Sequence, residues 1–177
     1  MIIKFKNHSM LCVFTTLIGI FLLTACTDSS KQPTDLLGPR YQATLAEGIT
    51  FNKEGYPDFL SSVEGISVKE SFGRWTDGSI AIIKFSQPLP KKFTLKITAV
   101  MSEAIMDKPI KVVVGNAKYD VQFGKMWNFK EVAIPVTTNG NAKSIVFELP
   151  DIKSQKELGK GEDSRRLGLA LSSLKIE

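Results

Sequence analysis

The sequence has very few of the residues that most often carry out chemistry in proteins. Its 177 residues include one histidine, His8, and two cysteines, Cys12 and Cys26. After position 26 the chain therefore has no imidazole and no thiol. This excludes Ser-His-Asp and Cys-His catalysis, zinc sites built from histidine or cysteine, acid–base catalysis by imidazole and disulfides from residues 27–177. Only carboxylate pairs, lysine, tyrosine or a cation held by oxygen atoms remain, and we expect no cofactor.

The first residues are organised as an export signal. Lys4 and Lys6 form a short basic start, and an apolar run over residues 10–23 follows, interrupted only by two threonines. This run is shorter than the ~20 residues that a comfortable membrane span needs. We therefore expect residues 1–25 to be a cleaved signal peptide. A short membrane anchor is the alternative.

The sequence Leu23-Thr24-Ala25-Cys26, which ends the apolar run, resembles the lipobox of bacterial lipoproteins. The resemblance implies that the thiol of Cys26 receives a diacylglyceryl group, so that several acyl chains such as palmitate hold the protein on a membrane. Thr27 stands where an aspartate favours inner-membrane retention in enterobacterial lipoproteins. For a host with that sorting rule, we expect an outer-membrane lipoprotein whose domain faces the periplasm. An ordinary signal with a chance cysteine is the alternative.

The rest of the chain suits one domain on a tether. Residues 26–40 are polar and contain proline and glycine, which predicts a lipidated flexible tether before a domain over residues 41–177. Loss of Lys4 and Lys6 with the signal lowers the net charge from +5 to +3. An excess this small, without basic clusters, argues against a nucleic-acid partner.

The domain is predicted to be all-β, a β-sandwich or jelly-roll-like fold. Apolar and polar residues alternate in segments near 93–99, 110–114, 119–123, 132–136, 145–149 and 167–176. With two further apolar segments, about eight strands are expected between residues 66 and 177. Pro135 indicates an edge strand or a bulge. Asp58 to Val63 is expected to form one short helical turn.

One segment has the composition of a carbohydrate site. Between Gly73 and Gly78 stand Arg74, Trp75 and Asp77, which combine an aromatic face for sugar stacking with two groups that bind hydroxyls. Trp127, in an expected loop, is a second candidate for binding. The structural alternative is that Trp75 belongs to the core and Arg74 forms an ion pair with Asp163 of the long connection after residue 150.

The sequence gives little support to two other kinds of site. A glycosidase needs two acids facing each other across a cleft, but the neighbouring Glu162 and Asp163 would point apart in an extended segment. A calcium site built from loop carboxylates and carbonyls is the second kind, but nothing in the sequence resembles an EF-hand loop. We therefore expect no catalytic residue and no metal ligand.

Several motifs resemble a domain of unknown function found at the C-terminus of phosphoglycerol transferase I-like proteins, which modify periplasmic glucans. They are Gly55-Tyr56-Pro57-Asp58-Phe59, Gly65-Ile66-Ser67 with Glu70, the Gly73–Gly78 segment, Phe85-Ser86-Gln87-Pro88-Leu89-Pro90, Phe93-Thr94-Leu95, and Asp163 with Arg165-Arg166-Leu167-Gly168-Leu169-Ala170-Leu171. The resemblance spans about residues 49–176 and implies a β-sandwich without the catalytic domain of those enzymes.

These observations together predict a lipid-anchored, non-catalytic module of the cell envelope that binds a glycan or an envelope protein. A small glycan hydrolase that works with carboxylates and a purely structural lipoprotein are the alternatives. Exposed tryptophans would favour a glycan, whereas buried rings would favour a protein partner or a scaffold.

Overall fold

The computed structural model describes residues 37–125 and 127–177. The predicted signal peptide, Cys26 and most of the predicted tether lie outside the described residues. Leu37 is buried and the first strand of the described residues begins at Arg40, so these two residues of the predicted tether take part in the fold. Within the described part of the chain, no helix is long and apolar enough to cross a membrane.

The described residues form thirteen strands, several of them very short. They are β1 (Arg40–Tyr41), β2 (Ile49–Thr50), β3 (Tyr56–Pro57), β4 (Leu60–Glu64), β5 (Ile66–Lys69), β6 (Arg74–Asp77), β7 (Ile80–Phe85), β8 (Lys92–Met101), β9 (Ile110–Val114), β10 (Ala117–Val121), β11 (Lys130–Thr137), β12 (Ser144–Glu148) and β13 (Leu167–Ile176).

The strands build two antiparallel sheets, which confirms the predicted β-sandwich. The five-stranded sheet has the order β10-β9-β12-β7-β4. The six-stranded sheet has the order β11-β8-β13-β6-β5, with β2 pairing on β13. A small parallel pair, β1 with β3, lies beside them. Buried side chains from both sheets join in one core, as expected when each sheet turns one apolar face inward.

Strand β8 illustrates how the sequence sets the layers. Phe93, Leu95, Ile97 and Ala99 are buried, whereas the alternate residues keep contact with solvent. The same alternation is seen in β9 and β12 of the facing sheet. Strand β11, which contains Pro135, lies at the edge of its sheet, so the edge assignment is confirmed.

Two local predictions are wrong. The helical turn expected over residues 58–63 is replaced by β4, because these residues pair with β7 through a bulged register. Nine strands rather than eight lie between residues 66 and 177, and the unforeseen one is β6. Its residues Arg74, Trp75 and Thr76 are all buried, so the segment lacks the polar alternation that marks a half-exposed strand.

Candidate functional site

The candidate site begins with Trp75 on the outer face of the six-stranded sheet. In the strand register, Trp75 of β6 faces Ala170 of β13, and Ala170 in turn faces Val100 of β8. These three residues form a small cluster separate from the main core. The two small side chains leave room above the sheet, and the indole of Trp75 lies over it with 8% of its surface exposed.

Four aromatic rings gather at this point, and we call them the aromatic cluster: Phe72, Trp75, Trp127 and Phe129. The ring centroids of Trp75 and Trp127 lie 5.8 Å apart, in an edge-to-face arrangement at 77°. Phe72 contacts both tryptophans, at 5.7 Å and 5.4 Å, and stands 5.9 Å from Phe129. These separations are within the range preferred by aromatic pairs, so the rings support one another.

Trp127 is the exposed member of the aromatic cluster. It keeps 64% of its surface exposed and has a φ angle of +63°, a value that residues other than glycine rarely adopt. The loop that carries it is fixed at Gly124, whose carbonyl accepts a hydrogen bond from the backbone of Met101 at 2.8 Å. A Cβ atom on Gly124 would come within 1.8 Å of the carbonyl oxygen of Asn128, so the loop folds tightly on itself.

Beside the aromatic cluster lies an open cleft of about 400 Å³. The two tryptophans form one wall. The end of β8 and the residues after it form another, and the loop between β12 and β13, called the late loop, closes the third. The polar side chains that line it are Ser102, Glu103, Lys153, Gln155, Asp163 and Arg165. This volume is within the range of small-molecule sites, and an apolar wall with a few polar groups is their usual composition.

Arg165 fastens the late loop to the six-stranded sheet. Its Nη2 donates to Oδ2 of Asp163 at 2.8 Å, and its Nε donates to Oδ1 at 3.1 Å. Its Nη1 donates to Oε1 of Glu70 at 3.2 Å and to Oγ of Ser67 at 3.0 Å. These hydrogen bonds lower the pKa of Asp163 and raise that of Arg165, so both groups are charged at neutral pH.

Glu157 organises the middle of the same loop. The backbone N–H of Ser154 donates to Oε2 of Glu157 at 2.8 Å, and the N–H of Glu157 donates to Oγ of Ser154 at 3.1 Å, as in a helix capping box. Both Nε and Nη2 of Arg166 also donate to Glu157. The hydrogen bonds from Arg166 and then from Ser154 lower the pKa of Glu157 to about 2.

Arg74 does not belong to the cleft. It is next to Trp75 in an extended strand, so its side chain leaves from the opposite face. The guanidinium lies over the ring of Tyr56, at 4.8 Å, and its Nη2 donates to the carbonyl of Lys53 at 3.4 Å. The predicted pair of Arg74 with Asp163 is therefore wrong, because Arg165, two residues along the chain, takes both oxygens of that carboxylate.

Asp77 also stands apart from the cleft. Its Oδ1 accepts a hydrogen bond from the backbone N–H of Arg166 at 2.8 Å, which ties the end of β6 to the start of β13. Of the four predicted binding residues, the structure brings together Trp75 and Trp127, which both line the cleft. The alternative prediction, that Trp75 belongs to the core, is correct in part. Its ring is buried, but it lies beneath Trp127 and outside the main core.

The sequence did not point to Phe72, which belongs to the aromatic cluster, or to Ser102 and Arg165, which line the cleft. Phe72 lies beside the glycine-bounded segment, and an aromatic residue so close to Trp75 is a usable signal. The Oγ atom of Ser102 is buried without a hydrogen-bond partner among the described residues. Arg165 joins groups 95 and 98 positions away along the chain, which no local pattern reveals.

The carboxylates of the cleft do not suit the hydrolase alternative. Glu103 and Asp163 both line it, but the paired oxygens of Asp163 and its lowered pKa are unsuited to a general acid, which must hold a proton at neutral pH. No three acidic side chains of the described residues come together as a metal site requires.

Comparison with known proteins identifies the relatives of this fold. The family described as "Domain of unknown function (DUF7024)" matches residues 38–177. Phosphoglycerol transferase I of Escherichia fergusonii is 32% identical over 140 residues, and that of Citrobacter koseri is 32% identical over 135 residues. Each match covers 74% of this chain and 17% of the relative, so the chain spans about a sixth of the length of these enzymes. The predicted resemblance is confirmed.

Solved structures give weaker matches. A family 29 carbohydrate-binding module has a TM-score of 0.48 at 12% identity, covering 73% of this chain and 85% of that one. A mutant of the module CBM29-2 complexed with mannohexaose has a TM-score of 0.47 at 12% identity, covering 73% and 88%. Values this low do not establish a common function, and the sandwich assignment rests on the two sheets described above.

Proposed function

This chain belongs to the DUF7024 family, and from that membership and the cleft we propose that it is a non-catalytic module that binds a glycan of the cell envelope. The observation that carries the proposal is the position of Trp127. Its indole is exposed, it stands on edge against Trp75, and it forms one wall of a cleft whose other walls combine polar and apolar side chains. A pyranose ring has an apolar face and a rim of hydroxyls, which suits such a surface.

The charges of the cleft favour a neutral sugar. Lys153 and Arg165 are balanced by Glu103 and Asp163, so the lining has no net charge. Because Arg165 is already engaged by Asp163 and Glu70, its capacity for a strong anion is reduced. Lys153 and Gln155 supply donors and acceptors of the kind that bind hydroxyl groups.

The relatives supply the setting. Phosphoglycerol transferase I, by its name, transfers phosphoglycerol, and the match covers 17% of that protein. We propose that this chain binds an envelope glycan and takes no part in the transfer itself. This role is an analogy with the relatives.

The lipid anchor belongs to the same proposal. Acyl chains on Cys26 would hold the domain at the outer membrane, facing the periplasm, and a tether would let the cleft reach glycans nearby. The lipobox-like sequence Leu23-Thr24-Ala25-Cys26 supports this part of the proposal.

Titration with oligosaccharides tests the glycan site. The full chain, in an uncharged polyoxyethylene detergent that contains no sugar, is titrated with gluco-oligosaccharides of several linkages and with galacto-oligosaccharides. We expect saturable binding of at least one of them, followed by calorimetry and by a change in tryptophan fluorescence. Trp127→Ala should weaken this binding at least tenfold.

The matched control is Tyr119→Ala, which removes a partly buried aromatic side chain from β10, in the other sheet. This variant should bind as the wild type does. Absence of saturable binding to every sugar, or an equal loss in the control, would reject the glycan site. Co-purification of one envelope protein that is lost in Trp127→Ala, without sugar binding, would favour a protein partner instead.

A further inference from the structure

Arg74 is a buried cation with incomplete hydrogen bonding. Only 9% of its surface is exposed. Its Nε atom is buried without a hydrogen-bond partner among residues 37–125 and 127–177, and its Nη2 makes one long bond, 3.4 Å, to the carbonyl of Lys53. The ring of Tyr56 lies 4.8 Å from the guanidinium carbon and supplies a cation–π contact. These partners leave much of the donor capacity of the guanidinium unused.

No carboxylate among the described residues forms an ion pair with Arg74. The nearby acids have other cations, since Glu54 pairs with Lys69 at 3.9 Å and Glu70 pairs with Arg165 at 3.2 Å. A buried charge is costly unless a counter-charge or a full set of hydrogen bonds compensates it. The site therefore has an electrostatic deficit that an anion would correct.

Arg74 also lines an open pocket of about 260 Å³, distinct from the glycan cleft. Gly38, Gly55, Tyr56 and Ser67 contribute to its walls. A Cβ on Gly55 would lie 1.7 Å from the carbonyl oxygen of Pro39, so only glycine lets these two segments approach as they do.

Two charged side chains line this pocket, Arg74 and Glu54. Arg74 lies within it, while Lys69 stands close enough to the lining residue Glu54 to offset its charge. Lys53 lies 3.8 Å over the ring of Tyr41, and its carbonyl is the acceptor used by Arg74.

We propose that this pocket binds a compact oxyanion, a phosphate or carboxylate group, on the guanidinium of Arg74. The planar fork of arginine matches two oxygen atoms of such a group, and the hydroxyl of Tyr56 can donate to another. The proposal does not depend on the glycan cleft, because Arg74 and Trp75 leave β6 from opposite faces.

Nuclear magnetic resonance of the arginine side chains tests the pocket directly in the wild-type protein. The Nε–H signal of Arg74 is assigned as the one missing from Arg74→Lys. The full chain, in polyoxyethylene detergent, is titrated with inorganic phosphate, glycerol phosphate and acetate at constant ionic strength set with chloride. We expect a saturable shift of the Arg74 signal with phosphate or carboxylate ions and none with chloride alone.

Two further arms identify the source of the anion. A shift with glycerol phosphate larger than with acetate would assign the pocket to phosphate esters, and the reverse order would assign it to carboxylates. Vesicles with phosphatidylglycerol, compared with phosphatidylcholine vesicles, test the headgroup of an anionic lipid. Either soluble anions or the anionic vesicles must shift the signal for the proposal to stand.

Variants supply the quantitative check. Arg74→Lys keeps the charge but loses the fork, and it should weaken binding of the preferred anion at least tenfold. Arg74→Gln should abolish it, whereas Lys118→Gln, the same charge change on β10, should leave it unaltered. A wild-type Nε–H signal that no oxyanion moves would overturn the proposal, even where a variant fails to fold.

Discussion

The backbone of Trp127 leads to a prediction that reverses the usual order of two substitutions. In most extended or helical positions, alanine gives a more stable protein than glycine. Trp127 has a φ angle of +63°, where a Cβ atom clashes with the backbone. We therefore expect Trp127→Gly to be more stable than Trp127→Ala, although both variants lose the same indole ring.

The magnitude follows from two opposing effects. A left-handed conformation costs a residue with a Cβ atom roughly 1–2 kcal/mol, and glycine avoids this cost. Glycine gives the unfolded chain more freedom, which takes back about 0.4–1 kcal/mol. The net advantage of Trp127→Gly over Trp127→Ala is about 0.5–1 kcal/mol.

The lost ring should affect the two variants equally. Trp127 is 64% exposed, so roughly 80 Å² of a large side chain is buried. At ~25 cal/mol per Å² this burial is worth about 2 kcal/mol. The glycine variant recovers part of that through relief of the backbone, so it should be about 1–1.5 kcal/mol less stable than the wild type.

Urea unfolding of the full chain measures the difference. Each variant keeps only Trp75, whose fluorescence then reports unfolding alone. Lys118 in β10 is the control position, because it has ordinary strand geometry and alanine there should be the more stable substitution. A Trp127→Gly variant less stable than Trp127→Ala would refute the reasoning. Both variants should lose sugar binding to the same extent.

Three other predictions concern separate parts of the chain. Cys26→Ser should abolish incorporation of an alkyne fatty acid during metabolic labelling and leave an unprocessed precursor, so label on this variant would reject the lipid anchor. Gly73→Ala should destabilise the fold by roughly 2 kcal/mol or more in thermal or urea unfolding, because the glycine has a φ of +151° and an added Cβ would lie 1.9 Å from the carbonyl oxygen of Leu171. Folding lowers the pKa of Glu157 to about 2, so the contribution of this carboxylate to stability is present above about pH 4.5 and is lost as the pH falls towards 2. Glu157→Gln should therefore flatten this part of the pH profile of stability, measured by urea unfolding.

The architecture was predictable because half-buried strands carry their own signal. The alternation in β8, β11 and β12 reports which face meets the core, and it gave the all-β class and most strand positions. Strand β6 escaped because Arg74, Trp75 and Thr76 are all covered, one face by the core and the other by the aromatic cluster. A strand buried on both faces has no polar alternation, so periodicity does not reveal it.

The candidate site was predictable only in its aromatic part. A large exposed side chain such as Trp127 is conspicuous in any sequence, and Trp75 stood out between two glycines. The ion pairs were not predictable. From the sequence alone, each of the carboxylates Glu157 and Asp163 could pair with Arg74, Arg165 or Arg166. Which pair forms depends on the sheet face from which each side chain leaves β6 or the start of β13. The strand register sets these faces, and it exists only in the folded sheet.

Trp127 and Arg74 share one property that sets them apart from the rest of the fold. Trp127 combines a strained backbone with an exposed indole, and Arg74 combines burial with an unpaired Nε atom, so each is unfavourable for stability as it stands. Local rules are most often broken at functional positions, where a ligand compensates the cost. Because the two side chains lie on different faces of the sheet, their two ligands should bind independently. Loss of the indole should leave oxyanion binding intact, and loss of the guanidinium should leave sugar binding intact. Binding of one ligand that depended on both residues would mean that the cleft and the pocket form a single site.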